Sequence, residues 1–256
     1  MKFIDSHTHL YLEHFNEDRS ETIQRAISQG VSTMLLPAIE MGTFDAMMEL
    51  VNAFPKNCRP MMGLHPTSVN ELVEKELLFV ESELSSGNYI AVGEIGIDLY
   101  WDRTFAEQQK NAFAHQLQLA KKYKLPVVIH TRDSFEEVYA VLLQEADEAL
   151  KGVFHCFSGS ETEARQIIEM GFYLGIGGVV TFKNSGLGKV VANLPLEKMI
   201  LETDSPYLTP VPFRGKRNES SYIPLIAEKI ALLQNKSLSE VAEVTTQNCV
   251  RLFNLT

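Results

Sequence analysis

The sequence predicts an α/β chain closed into a (β/α)8, or TIM, barrel, and three observations carry that expectation. Eight short β-rich runs alternate with segments of helical periodicity along the chain. The 256 residues, 45% of them hydrophobic, are enough to bury the core of one such barrel. Most of the histidines, with several carboxylates, fall at the C-terminal ends of those runs, the face at which these barrels gather reactive groups.

The eight strands are expected at Phe3-Ile4-Asp5, Val31 to Leu36, Arg59 to Leu64, Tyr89 to Ile95, Pro126 to His130, Gly152 to Phe157, Tyr173 to Val180 and Met199 to Asp204. Between them, Thr104-Phe105-Ala106-Glu107 has the form of a capping box, and Phe105, Ala112, Phe113, Leu117 and Ala120 continue it as a helical stripe. Ser237-Leu238-Ser239-Glu240 is a second such box, followed by Val241, Val244, Asn248 and Leu252. These stripes would pack on the outside of the strands. No Pro- or Ser-rich linker, charge block or solenoid-period repeat interrupts the chain, so residues 1–256 are expected to form a single domain.

A formal charge of -10 argues against a protein that coats long nucleic acid with a basic surface, while leaving a local anion site open. Bound metal ions would add positive charge that a residue count misses. Cys58, Cys156 and Cys249 form no C-x-x-C and cannot all pair, which suits a reducing compartment; they read as small core hydrophobes. The N-terminus lacks the apolar segment of a signal peptide and no apolar run approaches membrane-spanning length, so the expected location is the cytoplasm.

In an extended strand residues i and i+2 share a face, so His7 and His9 bring two imidazoles within reach of one metal ion. An isolated H-x-H is equally compatible with two rings hydrogen-bonded in a core. The rest of the barrel map favours the metal: His65 ends strand three, Glu94 stands near the end of strand four, and His130 ends strand five. His155 lies in strand six, and Glu202 with Asp204 ends strand eight. His14 and His115 read as solvated residues.

The segments Ile4-Asp5-Ser6-His7-Thr8-His9, Gly63-Leu64-His65-Pro66, Val92-Gly93-Glu94-Ile95-Gly96-Ile97-Asp98, Val128-Ile129-His130-Thr131-Arg132, His155-Cys156-Phe157-Ser158-Gly159 and Leu201-Glu202-Thr203-Asp204-Ser205-Pro206-Tyr207-Leu208 resemble the motif series of the TatD family of metal-dependent hydrolases. The resemblance spans nearly the whole chain and continues into Pro210 to Glu219. It implies a TIM barrel of the metal-dependent hydrolase type, with deoxyribonuclease activity as described for several members. It further implies that His7, His9 and Asp204 hold one divalent ion, that His130 and His155 hold a second, and that Glu94 bridges the two. Mixed nitrogen and oxygen donors accommodate magnesium, manganese or zinc.

The leading expectation is therefore a deoxyribonuclease cleaving phosphodiester bonds, a 3'-5' exonuclease on single-stranded DNA, in which a metal-activated water attacks phosphorus. Asp204 would serve as ligand and proton acceptor, and Glu202 would orient the site or make a structural hydrogen bond. His65 is expected as a contact to substrate phosphate. Arg214, with Lys216, Arg217 and the loop Lys183 to Gly188, occupies the two positions where barrels often bind phosphate. Arg103 and Arg132 are similar cases; Tyr100 and Trp101 are expected to stack on a base, with packing over the barrel mouth the competing role for Trp101. The expected partner is a DNA end, with no membrane and no obligate protein partner. The alternative is a binuclear-metal hydrolase of an ester or amide, although Glu94 stands where a carbamylated lysine would. A third class is a metal-stabilised scaffold that binds a partner with little turnover.

Overall fold

The computed structural model describes residues 1–145 and 147–255. Its strands are β1 Phe3–Asp5, β2 Val31–Leu36, β3 Cys58–Pro60, β4 Val92–Asp98, β5 Val127–Arg132, β6 Gly152–Phe154, β7 Tyr173–Ile176 and β8 Met199–Leu201. The helices are α1 Arg19–Ser28, α2 Met41–Ala53, α3 Val73–Ser86, α4 Ala106–Tyr123, α5 Phe135–Glu145, α6 Glu161–Glu169, α7 Leu187–Ala192, α8 Ile223–Gln234 and α9 Leu238–Phe253.

All ladders are parallel and run in chain order, β1 to β3 and β4 to β8. Two parallel bridges, Met62 with Val92 and Thr8 with Ser205, join the two sheets at both seams. Gly93 N donates to Met62 O at 3.0 Å and Ser6 N donates to Leu201 O at 3.0 Å, which closes the TIM barrel. Asp5 reinforces the second seam by accepting from Thr203 N at 2.9 Å and Thr203 Oγ1 at 2.6 Å. Burial pushes the Asp5 carboxyl up to about 7, against the opposing effect of hydrogen bonds such as those from Thr203. Among the described residues no helix is long and apolar enough to cross a membrane.

Side chains of the strands alternate between the outer helices and the barrel interior. Ile4, Leu35, Met61, Ala91, Val128, Val153 and Ile200 form one inner apolar layer with Cys249, Leu252 and Phe253 of α9. That layer seals the end of the barrel opposite the strand C-termini. Two glycines let backbone approach where a side chain would not fit. A Cβ on Gly96, whose φ is +143°, would lie 2.0 Å from His130 O, and one on Gly175 would lie 2.3 Å from Glu202 Oε2.

Several strands end earlier than the apolar runs suggest. β6 stops at Phe154, β7 at Ile176 and β8 at Leu201, so His155, Glu202 and Asp204 stand just beyond their ladders. The physical reason at two of these ends is a left-handed residue, Cys156 at φ 49° and Asp204 at φ 57°, which turns the chain out of the sheet. β3 ends at Pro60, and His65 caps a 3-10 turn, Pro66–Ser68. β4 starts later than expected and extends to Asp98.

The Thr104 capping box does not form: α4 begins after Phe105 without a side-chain cap, and Thr104 N donates to Asp102 Oδ1 at 2.8 Å. Ser237 does cap α9, accepting from Glu240 N at 3.1 Å, while the Glu240 carboxylate turns to Lys236. A complete box forms at Ser160 and Glu163 instead. Ala112, Phe113, Leu117 and Ala120 are buried as the α4 stripe requires, and His115 is exposed.

Candidate metal centre

Six strand ends deliver their polar side chains to one point. Glu94, from β4, is 2% exposed and lies at its centre. Its Oε2 is 3.0 Å from His7 Nε2 and 3.7 Å from His9 Nε2. Its Oε1 is 2.9 Å from His130 Nδ1, 3.3 Å from His155 Nε2 and 3.4 Å from His65 Nε2. The two oxygens of one carboxylate thus face two different sets of imidazoles. Asp204 Oδ1 closes the first set, 3.8 Å from His7 Nε2 and 3.6 Å from His9 Nε2, and is 3.9 Å from His155 Nε2. All six residues named from the sequence as candidate ligands meet here.

Neighbouring groups orient these rings. Tyr11 Oη donates its one proton to Pro37 O at 2.6 Å, so it accepts from His9 Nδ1 at 3.1 Å. His9 therefore carries its proton on Nδ1 and turns the Nε2 lone pair toward the cluster. Asp98 Oδ2 sits 2.9 Å from His130 Nε2 and leaves Nδ1 facing Glu94. Asp98 is itself held by Tyr100 N at 3.0 Å. Glu202 Oε1 lies 3.1 Å from His155 Nδ1, out of line for a hydrogen bond, and accepts from Cys156 N at 2.5 Å. His65 is different: Thr67 N donates to its Nδ1 at 3.1 Å, so the neutral ring has its proton on Nε2 and presents a donor.

The charge pattern fits divalent cations. His7 and His9 bring their Nε2 atoms to 3.2 Å, close to the roughly 3.3 Å expected of two ligands at 2.0–2.1 Å on a tetrahedral ion. Burial opposes ionisation of Glu94, yet His7, His155 and His65 hold its carboxyl well below the usual range. Burial likewise opposes charge on His155, while Glu202 and Glu94 raise it to about 10. Burial and the nearby His155 lower His7, on which His155 stacks at 3.5 Å. For Asp204, burial is outweighed by the neighbouring His9, His155 and His7, and the carboxyl is lowered. Protons held by imidazoles between carboxylates occupy the place that a divalent cation takes when the rings deprotonate.

Of the expected substrate contacts, Arg214 is exposed, stacks its guanidinium 3.8 Å over the Phe182 ring, and lines a cavity of about 390 Å³ with Lys183. Arg132 lies 3.9 Å over Tyr100 and 5.1 Å over Trp101, and Trp101 is 70% exposed, which rules out packing as its role. Arg217 is drawn elsewhere: it forms a two-pronged pair with Asp18 at 2.7 Å on each arm and stacks over Phe15. Arg103 donates to Leu99 O at 2.9 Å. His14 is exposed, 6.0 Å from the Tyr207 ring.

Asp98 and Tyr11 are the residues that sequence reasoning missed. Asp98 had a signal, on the same strand face as Glu94, whereas Tyr11 lies in the turn that follows His9.

A closed parallel barrel with imidazoles and carboxylates converging at its C-terminal mouth defines a hydrolase of the metal-dependent class. The chain matches the family described as TatD related DNase over residues 4–254. It is 39% identical to the metal-dependent hydrolase YabD of Bacillus subtilis over 252 residues, 98% of each chain. It is 33% identical to the metal-dependent hydrolase YcfH of Escherichia coli over 259 residues, 100% of this chain and 97% of the relative. The crystal structure of YjjV, a TatD homolog from Escherichia coli, superposes with a TM-score of 0.93 at 31% identity, covering 99% of this chain and 98% of that one. The chain belongs to the TatD family of metal-dependent hydrolases.

Proposed function

We propose that this metal-dependent hydrolase is a two-metal phosphodiesterase of the TatD deoxyribonuclease type, a 3'-5' exonuclease on single-stranded DNA. The observation that carries the reading is the division of Glu94: Oε2 faces His7 and His9, and Oε1 faces His130 and His155. His7, His9 and Asp204 would hold one divalent cation, magnesium, manganese or zinc, and His130 and His155 a second, with Glu94 bridging. Bound there, the two cations would supply Lewis acidity that acidifies water and neutralises phosphoryl oxygens.

The chain's own groups divide the remaining work. Asp204, kept ionised by His9, His155 and His7, accepts the proton of the attacking water. His65, with its proton on Nε2, donates to a phosphoryl oxygen. Arg214 and Lys183 attract the phosphates of the continuing strand. Tyr100 and Trp101, exposed beside Arg132, offer a stacking surface for an unpaired base. The net charge of -10 favours strand ends over tracking along duplex DNA. Free cysteines at 58, 156 and 249 accord with a cytoplasmic location.

The test is a metal-replete assay on end-labelled single-stranded DNA and RNA beside a panel of carboxylic esters and amides. Stepwise release of nucleotides from the 3' end of DNA is the expected result. Hydrolysis confined to the ester and amide panel would overturn the reading.

A further inference from the structure

A second cavity, of about 420 Å³, opens at the mouth between the ends of β5 and β6, with His155 and Cys156 in its wall. Its volume lies within the roughly 300–1,000 Å³ range of small-ligand sites. Its charge is the reverse of the Arg214 and Lys183 cavity. Asp133, Glu136, Glu137 and Glu163 line it, and no lysine or arginine does. Phe135 and Phe157 give it aromatic surface, and the buried Thr131 Oγ1 in its wall has no hydrogen-bond partner. The helices α5 and α6 begin at this cavity, yet their N-termini are already matched by acids: Glu136 and Glu137 lie in the first turn of α5, and Glu163 accepts from Ser160 N at 2.5 Å.

A phosphate entering this cavity would meet four carboxylates and no lysine or arginine. A nucleoside would meet the aromatic surface of Phe135 and Phe157. We propose that the cavity lined by Asp133, Glu136 and Phe135 receives the terminal nucleoside of the strand and accepts it only with an unphosphorylated 3'-hydroxyl. The preceding phosphates lie toward Arg214 and Lys183, so the two cavities together fix which way the strand runs through the mouth. This rests on the nuclease reading and explains why cleavage starts at an end: an internal nucleoside carries a further 3'-phosphate, which the acids repel.

The chemistry is self-consistent. The water oxygen bonds to the scissile phosphorus and the bond from phosphorus to the penultimate 3'-oxygen breaks. That oxygen leaves with a proton, and the terminal residue departs as a 5'-mononucleotide. The shortened strand again ends in a 3'-hydroxyl and is again a substrate.

The experiment compares 5'-labelled single strands of one sequence ending in a 3'-hydroxyl or a 3'-phosphate, with metal-replete protein. Like-charge contact should slow the phosphorylated end by about tenfold or more. The ratio of the two rates should narrow as salt rises. The double variant Asp133→Asn, Glu136→Gln should bring the ratio to within about twofold, a readout independent of how much protein is folded. Equal rates on the two ends, or a ratio unchanged in the double variant, overturns the assignment of the cavity while leaving the nuclease reading intact. Absence of cleavage at either end overturns the nuclease reading, and this one with it.

Discussion

Inside the barrel, Val128, Val153 and Ile200 sit two residues before His130, His155 and Glu202, the first of these within β5 and the other two one residue past the ends of β6 and β8. The two layers differ little in dryness, since Ile200 and Glu202 are both 0% exposed. They differ in what satisfies them. The lower layer closes by apolar contact with α9, and its burial stabilises the fold. The upper layer places carboxylates and imidazoles where an isolated charge costs several kcal/mol, so each must answer another. One strand period thus delivers support at one level and reactive groups at the next, and a substitution should act on folding or on chemistry according to its level.

The largest expected effect is at the centre of the upper layer. Glu94→Gln removes the anion that both imidazole sets face and should lower turnover on the order of 10³-fold or more. Metal content per chain, measured on the purified variant, should fall with it. Full activity with unchanged metal content would break the contrast between the layers. One level below, Ile200→Ala leaves a void against α9 and should cost about 2–5 kcal/mol. Its denaturant midpoint should drop while turnover per folded molecule holds. A loss of turnover without loss of stability would show that the lower layer shapes the site directly.

Smaller effects belong to residues that orient the rings. Asp98→Asn, which disturbs the partner of His130 Nε2, should weaken metal affinity about 10–100-fold with a thermal midpoint near that of the parent. Tyr11→Phe removes the acceptor that fixes His9 and belongs in the same range. A calorimetric metal titration separates these from a simple loss of folding.

The barrel was legible in the sequence because it rests on local pattern, whereas the candidate ligands came from the resemblance to the TatD motif series. β1 and β2 fall where the apolar runs place them, and six polar residues at strand ends meet at one point. The ends of β6 and β8 were overextended because apolar character does not reveal the left-handed turns at Cys156 and Asp204. Thr104 failed as a cap because Asp102 already holds its amide. Arg217 read as a phosphate contact because its partner, Asp18, is 199 residues away. The tautomer of His9 depends on Pro37 O, a backbone group with no sequence signature.

The same charges behave differently again at the rim. Arg217 and Arg25 both reach Asp18, Arg25 also pairs with Glu219 at 2.6 Å, and the adjacent Asn218 donates to Thr203 O at 2.8 Å and Tyr207 O at 2.6 Å. This clasp ties α1 to the turn that carries Asp204, yet it is partly solvated, so water screens it. The guanidinium of Arg217, helped by Arg25, holds the Asp18 carboxyl below the usual carboxylate range. A depressed folded-state value means that the stabilisation is present above the unfolded value and is lost as pH falls through the folded one. Asp18→Asn should therefore cost about 1 kcal/mol or less at neutral pH and flatten the decline of stability below about pH 4. Thermal midpoints across pH 2 to 7 for parent and variant measure it, with the two curves converging at the acid end. Because Asn218 anchors the Asp204 turn, a fall in turnover larger than this small stability change would mean that the clasp positions the site as well as holding the rim.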